Sequence, residues 1–216
     1  MSRTQKVTAD LVLAIQIVGV FVLGGSQFLR LLETVRGVNI MMFIAFEIFI
    51  VLNLAITIGL HRKQPTRVTR QLLGTYLMWF VAMGMNVGAV VWHGGYRWGM
   101  NDALTGIIAG SSVAVTLLIA MRRGLKFGDP IVKGWLAVCF KAIPQIMLGV
   151  KIMAEGGHGL PAAAVWMGHV TIIARLCQVG IATREGGWNR NLIGLVISEA
   201  TNELSWVIVT IIWLAH

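Results

Sequence analysis

Charge is scarce in this sequence. Asp, Glu, Lys and Arg supply 12% of its 216 residues against 56% for apolar types, and the mean hydropathy is +0.77. Soluble domains carry about a quarter charged residues, so that class is excluded. Acid is the rarer sign: nine Asp and Glu stand against 18 Lys and Arg, for a net charge of +9. The surplus does not read as a nucleic-acid surface, because the basic residues are scattered through short segments without a basic helix or interleaved aromatics. Only two cysteines occur, Cys139 and Cys177. Both fall inside long apolar runs, where packing is the default and neither a disulfide nor a metal site is. Also missing are a Gly-rich phosphate loop, a His-Glu-x-x-His zinc motif and a nucleophile with a base and an orienter. No enzymatic reaction is specified, and neither a cofactor nor a metal is expected. His61, His93, His158 and His216 lie at run ends or in loops, leaving His169 alone inside one; haem held by paired intramembrane histidines is excluded. The last run has no lysine for a retinal Schiff base, and Lys141 in the fifth is a poor substitute.

What the sequence has instead is long hydrophobic runs. Seven can be marked, at 10–30, 38–60, 71–94, 103–121, 131–153, 161–182 and 191–214, and about 20 residues of helix cross the ~30 Å of a bilayer core. The loops between them are short, so residues 1–216 are expected to form a single membrane domain whose working parts lie among the helices. The first run follows Arg3 and Lys6 and has Gly24, Gly25 and Ser26 near its end, as a signal peptide would. Six further spans and the polar Gln27 favour a retained helix.

Lys and Arg divide unequally between the two sides of such a bundle. Arg3, Lys6, Arg62, Lys63, Arg67, Arg70, Arg122, Arg123, Lys126, Lys133, Arg184 and Arg190 fall on one side, and Arg30, Arg36, Arg97 and Lys151 on the other. The excess places the amino terminus in the cytoplasm and the carboxyl terminus outside, with a bacterial inner membrane as the expected location. Tyr96, Trp98 and Trp188 suit interfacial positions. Trp79, Trp135 and Trp166 are read as either lipid-facing or core.

The fourth run is the most featureless: it carries no charge, and Gly106 and Gly110 give it a small-xxx-small face for close packing. Around it the other spans form two similar sets of three, 10–94 and 131–214, with 103–121 as a linker. Each set has a first helix with a glutamine (Gln27, Gln145), a second helix, a basic loop, and a third helix opening on Leu72 to Gly74 or Leu192 to Gly194. Two three-helix units joined directly would run in opposite directions, and one intervening helix makes them parallel. At residue level the repeat is thin: with Gln27 set on Gln145, Val20 meets Val138 and little else agrees.

Ile143-Pro144-Gln145-Ile146 inside a span, followed by a turn ending Gly159-Leu160-Pro161, resembles the PQ-loop motif. Asn202-Glu203-Leu204-Ser205-Trp206 in the last span is similar to the Asn-x-x-x-Trp stretch of SWEET sugar transporters, and Asn86 to Trp92 is a looser echo in the third. The resemblance covers the whole chain in layout but only these motifs in residues. It implies seven transmembrane helices in a 3+1+3 arrangement, with Asn86 and Asn202 facing each other across a central cavity to bond solute hydroxyls and Trp206 lining it. Two features depart from the family: Gly25-Ser26-Gln27 stands where a second Pro-Gln would be, and SWEET proteins have the amino terminus outside.

Polar residues inside the spans carry the rest. Pro144 removes a backbone donor and frees carbonyls, which makes it a hinge or a packing kink, and Gln145 could bond those carbonyls; Gly24 and Gly25 beside Gln27 are the other hinge candidates. A charge at the bilayer centre costs on the order of 3 kcal/mol, so Glu47, Lys141, Arg175, Glu199 and Glu203 are expected to face the interior, paired or neutral. The repeat scheme suggests Glu47 with Arg175 and Lys141 with Glu203 or Glu199. One carboxylate is left over, for proton coupling, unless the set is a structural network. Asn86 and Asn202 are read as solute ligands or as interhelical bonds. The leading expectation is a transporter of a sugar or similar small polar solute that works by alternating access. A proton-coupled carrier of an amino acid or other charged metabolite is the alternative, and a non-transporting receptor or complex subunit comes from another class. Expected partners are the solute and the lipid bilayer, not nucleic acid, with homo-oligomer formation left open.

Overall fold

The structure, a computed structural model, describes residues 3–63, 65–156 and 159–216; His158 and the side chains of Arg3, Lys6 and Arg67 lie outside the described residues. Among the described residues every regular element is helical. Seven stretches are long and apolar enough to cross a membrane: Asp10–Glu33, Ile40–Lys63, Thr69–His93, Met100–Arg122, Pro130–Glu155, Ala162–Arg184 and Arg190–Ala215. Each coincides with an apolar run of the sequence. The distribution of polarity fits a protein in lipid: Trp92, Phe21 and Val91 point outward, whereas Gln27, Asn86 and Asp102 are completely buried.

Two of the spans are broken. The first consists of α1 (Arg3–Gly19), a π-helical segment at Val20–Gly24, and α2 (Gly25–Glu33). The fifth consists of α6 (Pro130–Ala137), a π-helical segment at Val138–Ala142, and α7 (Ile143–Glu155). The others are single helices: α3 (Ile40–Lys63), α4 (Arg67–His93), α5 (Met100–Arg122), α8 (Ala162–Gly186) and α9 (Arg190–Ala215). Their ends carry ordinary caps. Thr66 and Thr69 form a capping box on α4, which stops at Gly94 in the left-handed region. Asp129 accepts from the Ile131 amide at 2.9 Å, with Pro130 in the first turn of α6. Arg190 Nη2 lies 2.7 Å from Asp129 Oδ2, which ties the start of the fifth span to that of the seventh. Desolvation works against the Asp129 charge, but the Ile131 amide and the Arg190 guanidinium more than offset it and hold the carboxyl below its ordinary range.

The third span packs against both the first and the second, and the seventh packs against both the fifth and the sixth, so in each trio the last helix stands between the other two. The trios meet crosswise: the first span lies on the sixth, and the second on the fifth. The fourth span lies outside this arrangement, against the second and fifth. Burial follows position, with 67% of the fifth span's apolar window buried and 17% of the fourth's. Gly106 lets Met41 approach, whereas Gly110 faces open space; half of the expected small-residue face is used. The two glycine openings also differ, since Gly194 packs on the Pro130 carbonyl and Gly74 touches nothing. Trp79 is core, and Trp135 and Trp166 are half-exposed on the outer surface.

Candidate functional site

A cavity of about 700 Å³ runs between the two trios. Every span except the fourth contributes to its wall. One end reaches Leu60, Leu72, Pro130 and Asn191, at the terminal turns of the second, third, fifth and seventh spans on the Lys/Arg-rich side. The other end stops at Gln27 and Leu160.

That closed end is a set of bonds across the trios. Gln27 Nε2 and Arg30 Nη1 of α2 both donate to the Gly159 carbonyl, at 3.3 and 2.9 Å. Gly159 itself has φ of +62°, and a Cβ there would stand 2.5 Å from the Gly37 carbonyl oxygen, so only glycine fits. Each π-helical segment gives one residue to the cavity wall, Leu23 from the first and Lys141 from the second. Each ends just before its glutamine, Gln27 or Gln145, and with Gln27 set on Gln145 the segments coincide from first residue to last. A π turn holds one extra residue, loosens the backbone and is a known place for a helix to bend. Of the expected hinge residues, Gly24 closes the first π segment, whereas Gly25 and Pro144 stand in the opening turns of the α-helices that follow the two segments.

The side chain of Gln145 does something other than expected. Its bonds run across to α9 and not to carbonyls of its own span. Nε2 donates to Asn202 Oδ1 at 2.9 Å, and Oε1 accepts from the Ser205 hydroxyl. Asn202 and Gln145 line the cavity together with Trp206, whose indole Nε1 donates to the Val165 carbonyl at 2.9 Å. Asn86 is elsewhere. It is fully buried on α4, off the cavity wall, and neither amide atom meets a protein partner. The two asparagines therefore do not face each other across the cavity in this conformation.

The five intramembrane charges resolve into four places. Lys141 Nζ sits 3.3 Å from Glu199 Oε1, which also accepts from the Ser198 hydroxyl at 3.0 Å. Lys141 lies 5.4 Å from the Phe49 ring centroid as well, a cation–π contact. Glu203 pairs with His169 Nδ1 at 2.6 Å, and the other ring nitrogen meets Thr210 Oγ1 at 2.9 Å. This pair lies between α8 and α9, off the cavity wall. The expected Glu47–Arg175 pair is not formed. Glu47 on α3 turns toward Gly84 of α4, its neighbour within the same trio, and its Oε2 has no bonding partner. Arg175 turns to the first span, where Nη2 donates to Gln16 Oε1 at 3.4 Å. The acid left without a basic partner is therefore Glu47, and not Glu199 or Glu203.

Sequence reasoning missed Gln16, which lines the cavity and donates to the Thr171 carbonyl at 3.1 Å; an amide in mid-span was the signal. It also missed a second polar cluster. Lys151, read as a loop cation, is 3% exposed. Its Nζ lies 3.0 Å from Asp102 Oδ2 and 3.2 Å from Tyr96 Oη, and Tyr96 donates its hydroxyl to Asp102. Desolvation, then the Asp102 bond, push the Tyr96 hydroxyl above its ordinary value and keep it a donor. Beside it Asn39 donates to Asn101 and Thr105 at 2.7 and 2.8 Å, and Asn101 donates to the Met147 carbonyl at 3.2 Å. The cluster fastens the fourth span to the second and fifth, and it borders the cavity wall at Met42, whose amide donates to Asn39 Oδ1 at 3.2 Å.

Trp206 packs on Gly168 so closely that a Cβ would overlap the indole, with Cε2 at 2.6 Å. Gly168→Ala is expected to lower stability by about 1–3 kcal/mol through overpacking. Gly180→Ala on the same helix, with nothing within 4 Å, should leave it unchanged. Thermal unfolding of both variants in detergent measures the contrast. Comparison with protein-family models, curated proteins and solved structures finds no match for the chain.

Proposed function

We propose that this protein is an alternating-access carrier of a small polar solute, built from two parallel three-helix bundles, spans one to three and five to seven, with the fourth as linker. The observation that carries the reading is the pair of π-helical segments in register on the cavity wall. Helix breaks are costly in lipid unless neighbours or a cavity satisfy the loosened backbone, and the same break at the same place in two spans suits a pair of hinges. The crosswise packing of first on sixth and second on fifth is what a two-fold axis along the membrane normal would give. The same layout supports the likeness to the PQ-loop and SWEET transporters. The conformation fits a carrier open toward the Lys/Arg-rich side, which the cation asymmetry makes the cytoplasm of a bacterial cell. Gln27, Arg30 and Gly159 then form the closed outer gate.

Solute is held by Asn202, Gln145 and Trp206. A neighbouring amide pair can exchange its mutual bond for bonds to the solute, and the indole offers a flat apolar face. Asn202→Ala is expected to lower flux tenfold or more while the fold is retained, because it leaves the buried Gln145 amide without its acceptor at a cost of about 1–3 kcal/mol. The test is uptake by proteoliposomes across a panel of sugars, polyols, amino acids and organic acids. Unchanged flux in Asn202→Ala contradicts the site, and no flux for any solute favours a receptor or complex subunit.

A further inference from the structure

Three basic side chains line the cavity, Lys133, Lys141 and Arg175, and Glu199 is the one carboxylate among its described wall residues. Glu199 lies within electrostatic reach of both Lys141 and Arg175, yet its hydrogen bonds go to Lys141 and Ser198. Arg175 is left with one long bond to a neutral amide, Gln16 Oε1 at 3.4 Å. The other buried or half-buried acids of the spans are turned away: Glu203 is held by His169, Asp102 by Lys151, and Glu47 faces Gly84 across the α3–α4 contact. The centre of the cavity thus holds one positive charge more than it balances. A neutral solute would leave that charge uncompensated inside the membrane, where isolated charge is costly. A guanidinium is a planar fork of five donors, matched to the two oxygens of a carboxylate. Phe46, Trp79 and Trp206 supply apolar wall for a carbon skeleton.

From this geometry we infer that the transported solute carries a carboxylate and that Arg175 receives it. The inference rests on the carrier reading and narrows its substrate class from polar solutes in general to small organic acids, amino acids included. Lys133, at the end of the cavity that reaches the basic side, would draw the anion in by long-range attraction.

The experiment pairs each acid with its amide, so that charge changes and shape does not. Thermal unfolding of the purified protein is recorded with lactate, phenylacetate or L-leucine against lactamide, phenylacetamide or L-leucinamide, with chloride at equal ionic strength as the bare-anion control. At least one acid is expected to raise the midpoint in a concentration-dependent way while its amide and chloride do not. Arg175→Gln should weaken that apparent affinity at least tenfold, and Arg175→Lys should recover part of it, which separates loss of charge from loss of fold. Equal stabilisation by an amide or by chloride, no stabilisation by any of the three acids, or an acid effect that survives in Arg175→Gln overturns the inference. Proteoliposome uptake of the same compounds keeps the two readings apart. Flux of a neutral sugar without any acid effect would sink the carboxylate and keep the carrier. Acid binding without flux would keep the carboxylate site and sink the carrier.

Discussion

Asp102→Leu is expected to cost the fold about 3–5 kcal/mol, the range found when one partner of a buried ion pair is removed. Asp102 is 0% exposed and Lys151 3%. Without the carboxylate the Lys151 ammonium keeps only the Tyr96 oxygen and the more distant, half-exposed Glu155 at 3.8 Å. The Tyr96 hydroxyl and the Gly99 amide, 3.1 Å from Asp102 Oδ2, lose their acceptor too. Lys151→Met should be damaging for the mirror reason, and Asp102→Leu/Lys151→Met should recover much of the loss because no lone charge remains. Denaturation of the four proteins in mild detergent gives the cycle. If either single variant is as stable as the parent, the cluster does not hold the fourth span in place.

Lys141→Met is the second large effect, again about 3–5 kcal/mol, since Glu199 would lose its direct cation. Lys141 is 5% exposed and Glu199 7%, so an unpaired charge on either would have little contact with water. Here the cycle separates structure from function. Lys141→Met/Glu199→Leu should restore stability, as apolar replacement of a buried pair often does, yet transport should stay lost because the cavity has lost its polar wall at that level. Recovery of both stability and flux would make the pair structural only.

The spans were legible because twenty consecutive apolar residues admit one reading in lipid, and the ends moved by only a few residues. The two helix irregularities were legible for a similar reason: proline, paired glycines and an intramembrane glutamine are local signals, and the π segments at Val20–Gly24 and Val138–Ala142 lie beside them. Pairing was harder. Residues four apart share a helix face, but which neighbour that face meets depends on the rotation and crossing of the helices. Lys141 met Glu199 as one of two options, whereas Glu47 turned to α4 within its own trio and left Arg175 to Gln16. Asn86 failed to reach the cavity for the same reason. Lys151 was misjudged in depth: it lies four residues before the end of α7, where hydropathy cannot tell a buried ammonium from one reaching the interface.

The central claim is that the cavity opens to each side in turn, and the most direct measurement is the reactivity of single cysteines at its two ends. In a background without Cys139 and Cys177, Leu72→Cys reports the end now open and Leu160→Cys, at a residue 2% exposed, the end now closed. A membrane-impermeant thiol reagent is applied from each side of proteoliposomes, with and without a transported solute. Alternating access predicts labelling of Leu72→Cys from the Lys/Arg-rich side and of Leu160→Cys from the other, with solute shifting the two rates in opposite directions. Labelling of Leu72→Cys alone, unaffected by any solute, would contradict the account.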